Sequence, residues 1–151
     1  MAHEILDEIQ RFTEQLLEQA ELELEASVEP NQDEVVIDVS GPDTDLVLTE
    51  NARLLHALNH LVSQIFYRKA QGQYRFVVDC EGYRATRTRE LELVAEKAAE
   101  QAQRTGRPFH FQPMPANDRR IIHLHLADQS EVRTESDGRG MHRRLVVIPE
   151  A

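Results

Sequence analysis

Apolar residues recur at helical spacing along the first part of the chain. Ile5, Ile9, Phe12, Leu16 and Leu17 are separated by carboxylates, which predicts an amphipathic helix over about 4–20. The period then changes to two. Leu22, Leu24, Ala26 and Val28 alternate with polar residues, as in a half-buried strand. Pro30-Asn31-Gln32-Asp33 reads as a turn, and Val35, Ile37 and Val39 as a second strand closed by Gly41-Pro42. Helical spacing returns over about 51–68, where Leu54, Leu55, Leu58, Leu61, Val62, Ile65 and Phe66 cover one arc. Gly72 breaks that helix. Residues 75–80, Arg-Phe-Val-Val-Asp-Cys, read as a strand rich in β-branched and aromatic side chains.

Gly82 precedes a long helix over about 83–104, with Leu91, Val94, Ala95, Ala98 and Ala102 as its apolar positions. Gly106 and Pro108 end it. Phe109-His110-Phe111 is a short strand. Asn117 or Asp118 suits the N-cap of a helix running to about 127, on which Ile121, Ile122, Leu124 and Leu126 form a broad apolar arc. Residues 132–136 and 145–148 read as two strands around a turn containing Gly138 and Gly140. No internal repeat or low-complexity segment interrupts this order. The pattern is α+β, in two small units joined by the helix at 83–104.

Composition agrees with a folded core, at 40% hydrophobic and 29% charged residues in a chain of 151. The chain has no run of 18 apolar residues, so no membrane-spanning helix is expected. The N-terminus lacks the basic and apolar regions of a signal peptide. A single cysteine, Cys80, cannot form an internal disulfide, and these features point to the cytoplasm.

Net charge changes the picture. The value of −10 argues at first against an anionic partner, but it is unevenly spread. Residues 1–103 hold nine Lys and Arg against 21 Asp and Glu, a net of −12. Residues 104–151 hold eight Arg against six Asp and Glu, a net of +2. Arg11 is the only cation in the first fifty residues. An anionic ligand should therefore meet the C-terminal part, with modest, salt-sensitive affinity.

Candidate chemistry lies on the helix that starts near 117. Arg119 and His123 are four residues apart and share a face opposite the apolar arc, with Arg120 beside them. Arginine offers a fork of donors with permanent charge, and histidine a donor and a ring that can stack on a base. The helix N-terminus adds positive potential nearby. From spacing alone a solvated polar face is the commoner outcome. Other sites are weaker. His56 and His60 are four apart but have no further ligands near them, so no metal site is expected. His125 falls inside the apolar arc and reads as a partly buried, hydrogen-bonded residue. Cys80 reads as a small core residue. Asp79 and Glu81 are not read as a catalytic pair, and Glu81 near Arg84 is a plausible surface pair instead. No nucleophile elbow, P-loop or dinucleotide fingerprint occurs, so neither an enzyme nor a cofactor is expected.

The spacing of several segments resembles a known family. Pro113-Met114, then Arg119-Arg120-Ile121-Ile122-His123, then Thr134-x-Ser136-x-Gly138, then Arg143-Arg144-Leu145-Val146-Val147-Ile148, is similar to the R3H domain. It resembles most closely the C-terminal half of the bacterial Jag, or SpoIIIJ-associated, proteins. Gly82-Tyr83-Arg84 at the start of the long helix, with Arg87 a turn later, fits the same pattern, which runs over about 83–149. The resemblance implies a small R3H α/β domain over 82–151 that binds single-stranded RNA or DNA around Arg119 and His123. Arg120, Arg84 and Arg87 would assist. Arg143 and Arg144 would add phosphate contacts if both face that side.

In Jag proteins a KH domain precedes R3H. Leu46-Val47-Leu48, four residues, then Arg53 to Val62, with the flanking strands at 35–39 and 76–78, resembles a type II KH-like domain over 1–81. Its Gly-x-x-Gly loop would clamp nucleotides through backbone that only glycine lets approach. The matching residues here are Thr49, Glu50, Asn51 and Ala52, so both glycines are missing and Glu50 would repel phosphate. The KH-like unit is thus expected as a scaffold or protein-docking domain. Many Jag proteins carry a further N-terminal domain and linker, whereas the first helix here is expected to belong already to the KH-like unit. The resemblance further implies a role in envelope, division or elongation control, in some cases with a small single-KH protein as partner. Two other readings compete with RNA binding: an adaptor using the acidic half, and a DNA-binding module.

Overall fold

The computed structural model describes residues 2–150, and the chain divides into two units, Met1–Arg84 and Ala85–Ala151. The fold is α+β, with a three-stranded sheet in each unit. The division falls three residues beyond the boundary expected at 81/82, and Tyr83 packs on the first core while Arg84 bonds within the first unit.

The first unit runs α1 (Ala2–Gln19), β1 (Glu25–Asn31), β2 (Glu34–Ser40), α2 (Thr44–Lys69) and β3 (Arg75–Cys80). A tight turn at Gln32-Asp33 makes β1 and β2 antiparallel, and α2 carries the chain back so that β3 lies parallel to β2. This α-β-β-α-β order is compatible with the KH-like unit. The alternation of Leu22 and Leu24 does not belong to β1. Their segment is held outside the sheet, where the Glu23 amide donates to Asp43 Oδ2 at 2.8 Å, and both leucines still pack on the core. Ile9 and Leu17 of α1, Leu55, Val62 and Phe66 of α2, and Val35, Ile37, Val39 and Val78 of the sheet close that core. Two residues expected on the apolar arc of α2, Leu61 and Ile65, are exposed instead.

α2 is two helical pieces around an irregular loop. Thr49 is extended, and Glu50, Asn51 and Ala52 have φ of 53°, 58° and 57°. Three consecutive residues are thus left-handed without a glycine, at roughly 1–2 kcal/mol each. Ala52 is fully buried and secures the loop in the core.

The second unit contains most of α3 (Tyr83–Thr105), then β4 (Phe109–His110), α4 (Ala116–Leu126), β5 (Val132–Asp137) and β6 (Arg144–Pro149). β6 is the central strand, antiparallel to both neighbours. Ala95, Ala98, Ala99 and Ala102 give α3 a flat buried stripe, so Phe111, Ile122, Leu126, Val132, Leu145 and Val147 can pack close to it. Val94, expected in that stripe, faces solvent, and Ala99 is buried instead. Among the described residues no helix is long and apolar enough to cross a membrane.

Alternation puts the acids of the first sheet on its outer side. Asp38 of β2 stands opposite Asp79 of β3. Burial, and then the charge of Asp79, hold the Asp38 carboxyl above the usual carboxylate range. The native state therefore favours the protonated form. Its contribution is favourable below the unfolded pKa and is lost as pH rises, so ionised Asp38 opposes folding at neutral pH. Asp38→Asn should raise the urea midpoint at pH 7, with the gain shrinking as pH falls toward the carboxylate range. A gain that is constant with pH would contradict this origin.

Candidate nucleic-acid interface

Parity along β5 and β6 decides which side chains share a face. Val132, Thr134 and Ser136 stand opposite Pro149, Val147 and Leu145, whereas Asp137 stands opposite Arg144. Val132, Leu145 and Val147 point into the core against α4, so Thr134 and Ser136 emerge at the edge of that same face. α4 lies across it with Ile122 and Leu126 buried.

Arg119 and His123 occupy the side of α4 turned to that edge. The His123 Nδ1 is hydrogen-bonded to Thr134 Oγ1, which leaves Nε2 directed away from the strand. Arg119 Nη1 donates to the Met114 carbonyl at 2.6 Å, and the Arg143 carbonyl lies 3.5 Å from the same nitrogen. The Met114 amide donates to that Arg143 carbonyl at 3.2 Å. One guanidinium nitrogen thus ties the chain before α4 to the residue that leads into β6, and the rest of the fork remains for a ligand. Arg143 Nε donates to Ser136 Oγ at 2.9 Å. Arg119, His123 and Arg143 are therefore joined through Thr134, Ser136 and two carbonyls into one cationic face.

No carboxylate pairs with these three residues among the described residues. Asp118, the acid nearest in sequence, is only 3% exposed. It is neither the N-cap nor on the cationic face. Pro115 holds the N-cap position with no side-chain bond, and Asp118 sits in the first turn. There its Oδ2 accepts from Arg87 Nη2 at 2.9 Å and Nε at 3.2 Å. Asn117 is exposed and does not cap the helix either.

The remaining cations have different positions. Arg120 is exposed on α4 and makes no ion pair among the described residues. Arg144 alternates to the opposite side of the sheet, where it lies 3.5 Å from Asp137. Arg87 is the partner of Asp118. Arg84 belongs to the first unit and turns inward, donating to the Val78 carbonyl at 2.8 Å and to Asn59 Oδ1 at 3.0 Å. Asp79 caps the start of α3 rather than pairing across a surface, its Oδ1 accepting from the Arg84 amide at 3.1 Å. His125 is half-buried, 3.2 Å from Glu96 and 3.9 Å from Glu92. Cys80 is buried, and burial pushes its thiol up to about 11. The described residues contain no cluster of ligands for a metal ion.

Sequence reasoning missed Leu124, expected in the apolar arc but 57% exposed next to His123. Its offset of two from Ile122 places it on the other side of the helix, which the 100° step already implied. Thr134 and Ser136 were visible only as motif positions. Their two-residue spacing on a strand is the signal that they share a face.

At the first unit, Glu50 lies within 3.5 Å of Arg53, and both are exposed. The loop thus presents a paired acid where a phosphate clamp would need a free cation.

The R3H domain family matches residues 89–149. The match places an R3H domain in that segment of the chain. Over most of its length the chain is also similar to proteins named KhpB. It is 31% identical to the RNA-binding protein KhpB of Clostridium symbiosum, over 93% of this chain and 64% of that protein. It is 32% identical to the RNA-binding protein KhpB of Bacillus subtilis, over 82% of this chain and 60% of that protein. With the KhpB of Lactiplantibacillus plantarum, 32% identity covers 68% of this chain and 32% of the relative. The chain spans about two thirds or less of the length of these relatives.

The Arg87–Asp118 pair should matter to stability. Arg87→Ala leaves a buried carboxylate without its cation and should destabilise the second unit by about 3 kcal/mol in urea denaturation. Arg87→Lys should recover only part of that loss. An Arg87→Ala protein as stable as the wild type would return Arg87 to the list of free surface cations.

Proposed function

We propose that the chain binds single-stranded RNA in the cytoplasm through the face formed by α4, β5 and Arg143, as a binding protein and not a catalyst. The observation that carries this reading is the clustering of Arg119, His123 and Arg143 on one face while the acids closest to it are engaged elsewhere. Asp118 is held by Arg87 and Asp137 lies beside Arg144. Asp128 and Glu131 make no ion pair with the face among the described residues. The R3H family and the RNA-binding relatives support the same ligand.

Each group has a chemical role. The free part of the Arg119 fork and the Arg143 guanidinium meet backbone phosphates. His123, oriented by Thr134, offers Nε2 to a phosphate or its ring to a base, and exposed Leu124 adds apolar surface beside it. Arg120 contributes charge at the rim. Arg84 and Arg87 act by holding the fold and Arg144 from the far side, so neither group is placed in direct contact with RNA.

A second reading is favoured by a different observation. Leu46, Leu61, Ile65 and Tyr67 of α2 are exposed on an acidic unit whose Thr49–Ala52 loop lacks the glycines and free charge of a nucleotide clamp. By the Jag resemblance, a small single-KH protein would suit that unit as a docking partner.

Fluorescence anisotropy of a labelled single-stranded RNA tests the first reading. Wild type should bind with an affinity that falls as salt rises, with a slope of about −0.7 per phosphate neutralised. Arg119→Ala/His123→Ala should weaken binding by about 1–3 kcal/mol. Absence of binding at low salt, or a double variant that binds as wild type, would contradict it and leave the docking reading.

A further inference from the structure

The connection between β5 and β6 carries an unusual combination of side chains. Met141 is 88% exposed, the most of any large hydrophobic among the described residues. Arg139, His142 and Arg143 surround it in sequence, all exposed and none in an ion pair among the described residues. The one nearby acid, Asp137, accepts from the Gly138 amide at 2.8 Å and lies 3.5 Å from Arg144.

This connection has a defined shape. Gly138 has φ of +88°, and a Cβ there would come within 2.8 Å of the His142 carbonyl oxygen. The chain then closes in a single 3-10 turn over Gly140–His142. The His142 amide donates to the Arg139 carbonyl at 3.1 Å and the Arg143 amide to the Gly140 carbonyl at 3.2 Å. The turn therefore holds its backbone by itself and projects Arg139, Met141 and His142 outward. Arg143 ends it and also belongs to the cationic face, through Ser136 Oγ and through its carbonyl to Arg119.

An exposed thioether flanked by two arginines, neither in an ion pair among the described residues, has a specific complement. A protein partner driven by apolar contact needs a patch of several hundred Å², and one methionine among cations does not provide it. A duplex hides its base faces. A single strand offers flat apolar bases alternating with phosphates, and polarisable sulfur packs well on aromatic rings. We propose that the β5–β6 turn is a second contact for single-stranded RNA, with Met141 against a base and Arg139 on an adjoining phosphate. The strand would then continue from the Arg119–His123 face past Arg143 onto the turn. The proposal rests on the RNA-binding reading above and extends it.

The test uses anisotropy with unstructured RNAs of increasing length, on the full chain. Met141→Ser should weaken binding to the longer RNAs by about fivefold with an unchanged salt slope. Arg139→Ser should reduce the slope by about 0.7. Neither change should affect the shortest RNA that Arg119→Ala/His123→Ala still discriminates from wild type. Both side chains are exposed, and equal thermal midpoints would confirm folded variants. If both turn variants bind every RNA as wild type while Arg119→Ala/His123→Ala loses binding, the turn is not a contact and the R3H-face reading stands. If the double variant also binds as wild type, or wild type binds no RNA, that reading fails and the turn proposal with it.

Discussion

One buried carboxylate sets the charge of the R3H face. Asp118 sits in the first turn of α4, next to Arg119, and could have neutralised it. Instead Arg87 reaches it from α3, and its Nε and Nη2 both donate to the same oxygen. This ion pair docks α4 on α3 and takes the acid out of reach of a ligand. With α4 fixed, Ile122 and Leu126 are buried and the opposite side of the helix is turned to β5. Every later feature, from the His123–Thr134 bond to the carbonyl clamp by Arg119, depends on that placement.

A net charge of −10 is therefore compatible with an anionic partner, because charge acts locally within a screening length of about 8–10 Å. The second unit builds its positive face from few cations, each oriented by a backbone or hydroxyl group. Orientation lowers the entropy lost when a phosphate binds. The first unit does the reverse. Its Glu50–Asn51–Ala52 loop keeps a left-handed path that glycine would adopt freely, and presents Glu50 beside Arg53. The burial of Ala52 holds the strained loop in place, which is the balance expected where surrounding packing over-determines a costly backbone.

Much of this was legible in the sequence. Most strands and helices stand close to where the apolar pattern placed them, although β1 is shifted to Glu25–Asn31 and α2 begins at Thr44 rather than near 51, and the α+β order follows from the pattern. The Arg119-x3-His123 pair and the Thr134-x-Ser136 spacing together imply one face. Four features were not legible. Leu22 and Leu24 alternate like a strand, but Asp43 holds the segment outside the sheet. Asp118 has the composition of a cap, yet a cation 31 residues earlier makes it a buried ion-pair partner. Arg84 looked exposed, but Asn59, 25 residues earlier, and the nearby Val78 carbonyl supply its bonds. Arg143 and Arg144 are adjacent, and only their contacts with β5 show which side each takes, Arg143 on Ser136 and Arg144 beside Asp137. Each of these depends on a long-range contact that local periodicity does not encode.

The most direct measurement is an NMR titration of the labelled chain with a short unstructured RNA, following backbone amides. Perturbations should centre on residues 116–124, 134–136 and 138–143 and saturate together, with residues 49–53 unmoved. Shifts that begin at 49–53 and leave α4 and β5 unchanged would place the ligand on the first unit and contradict this reading.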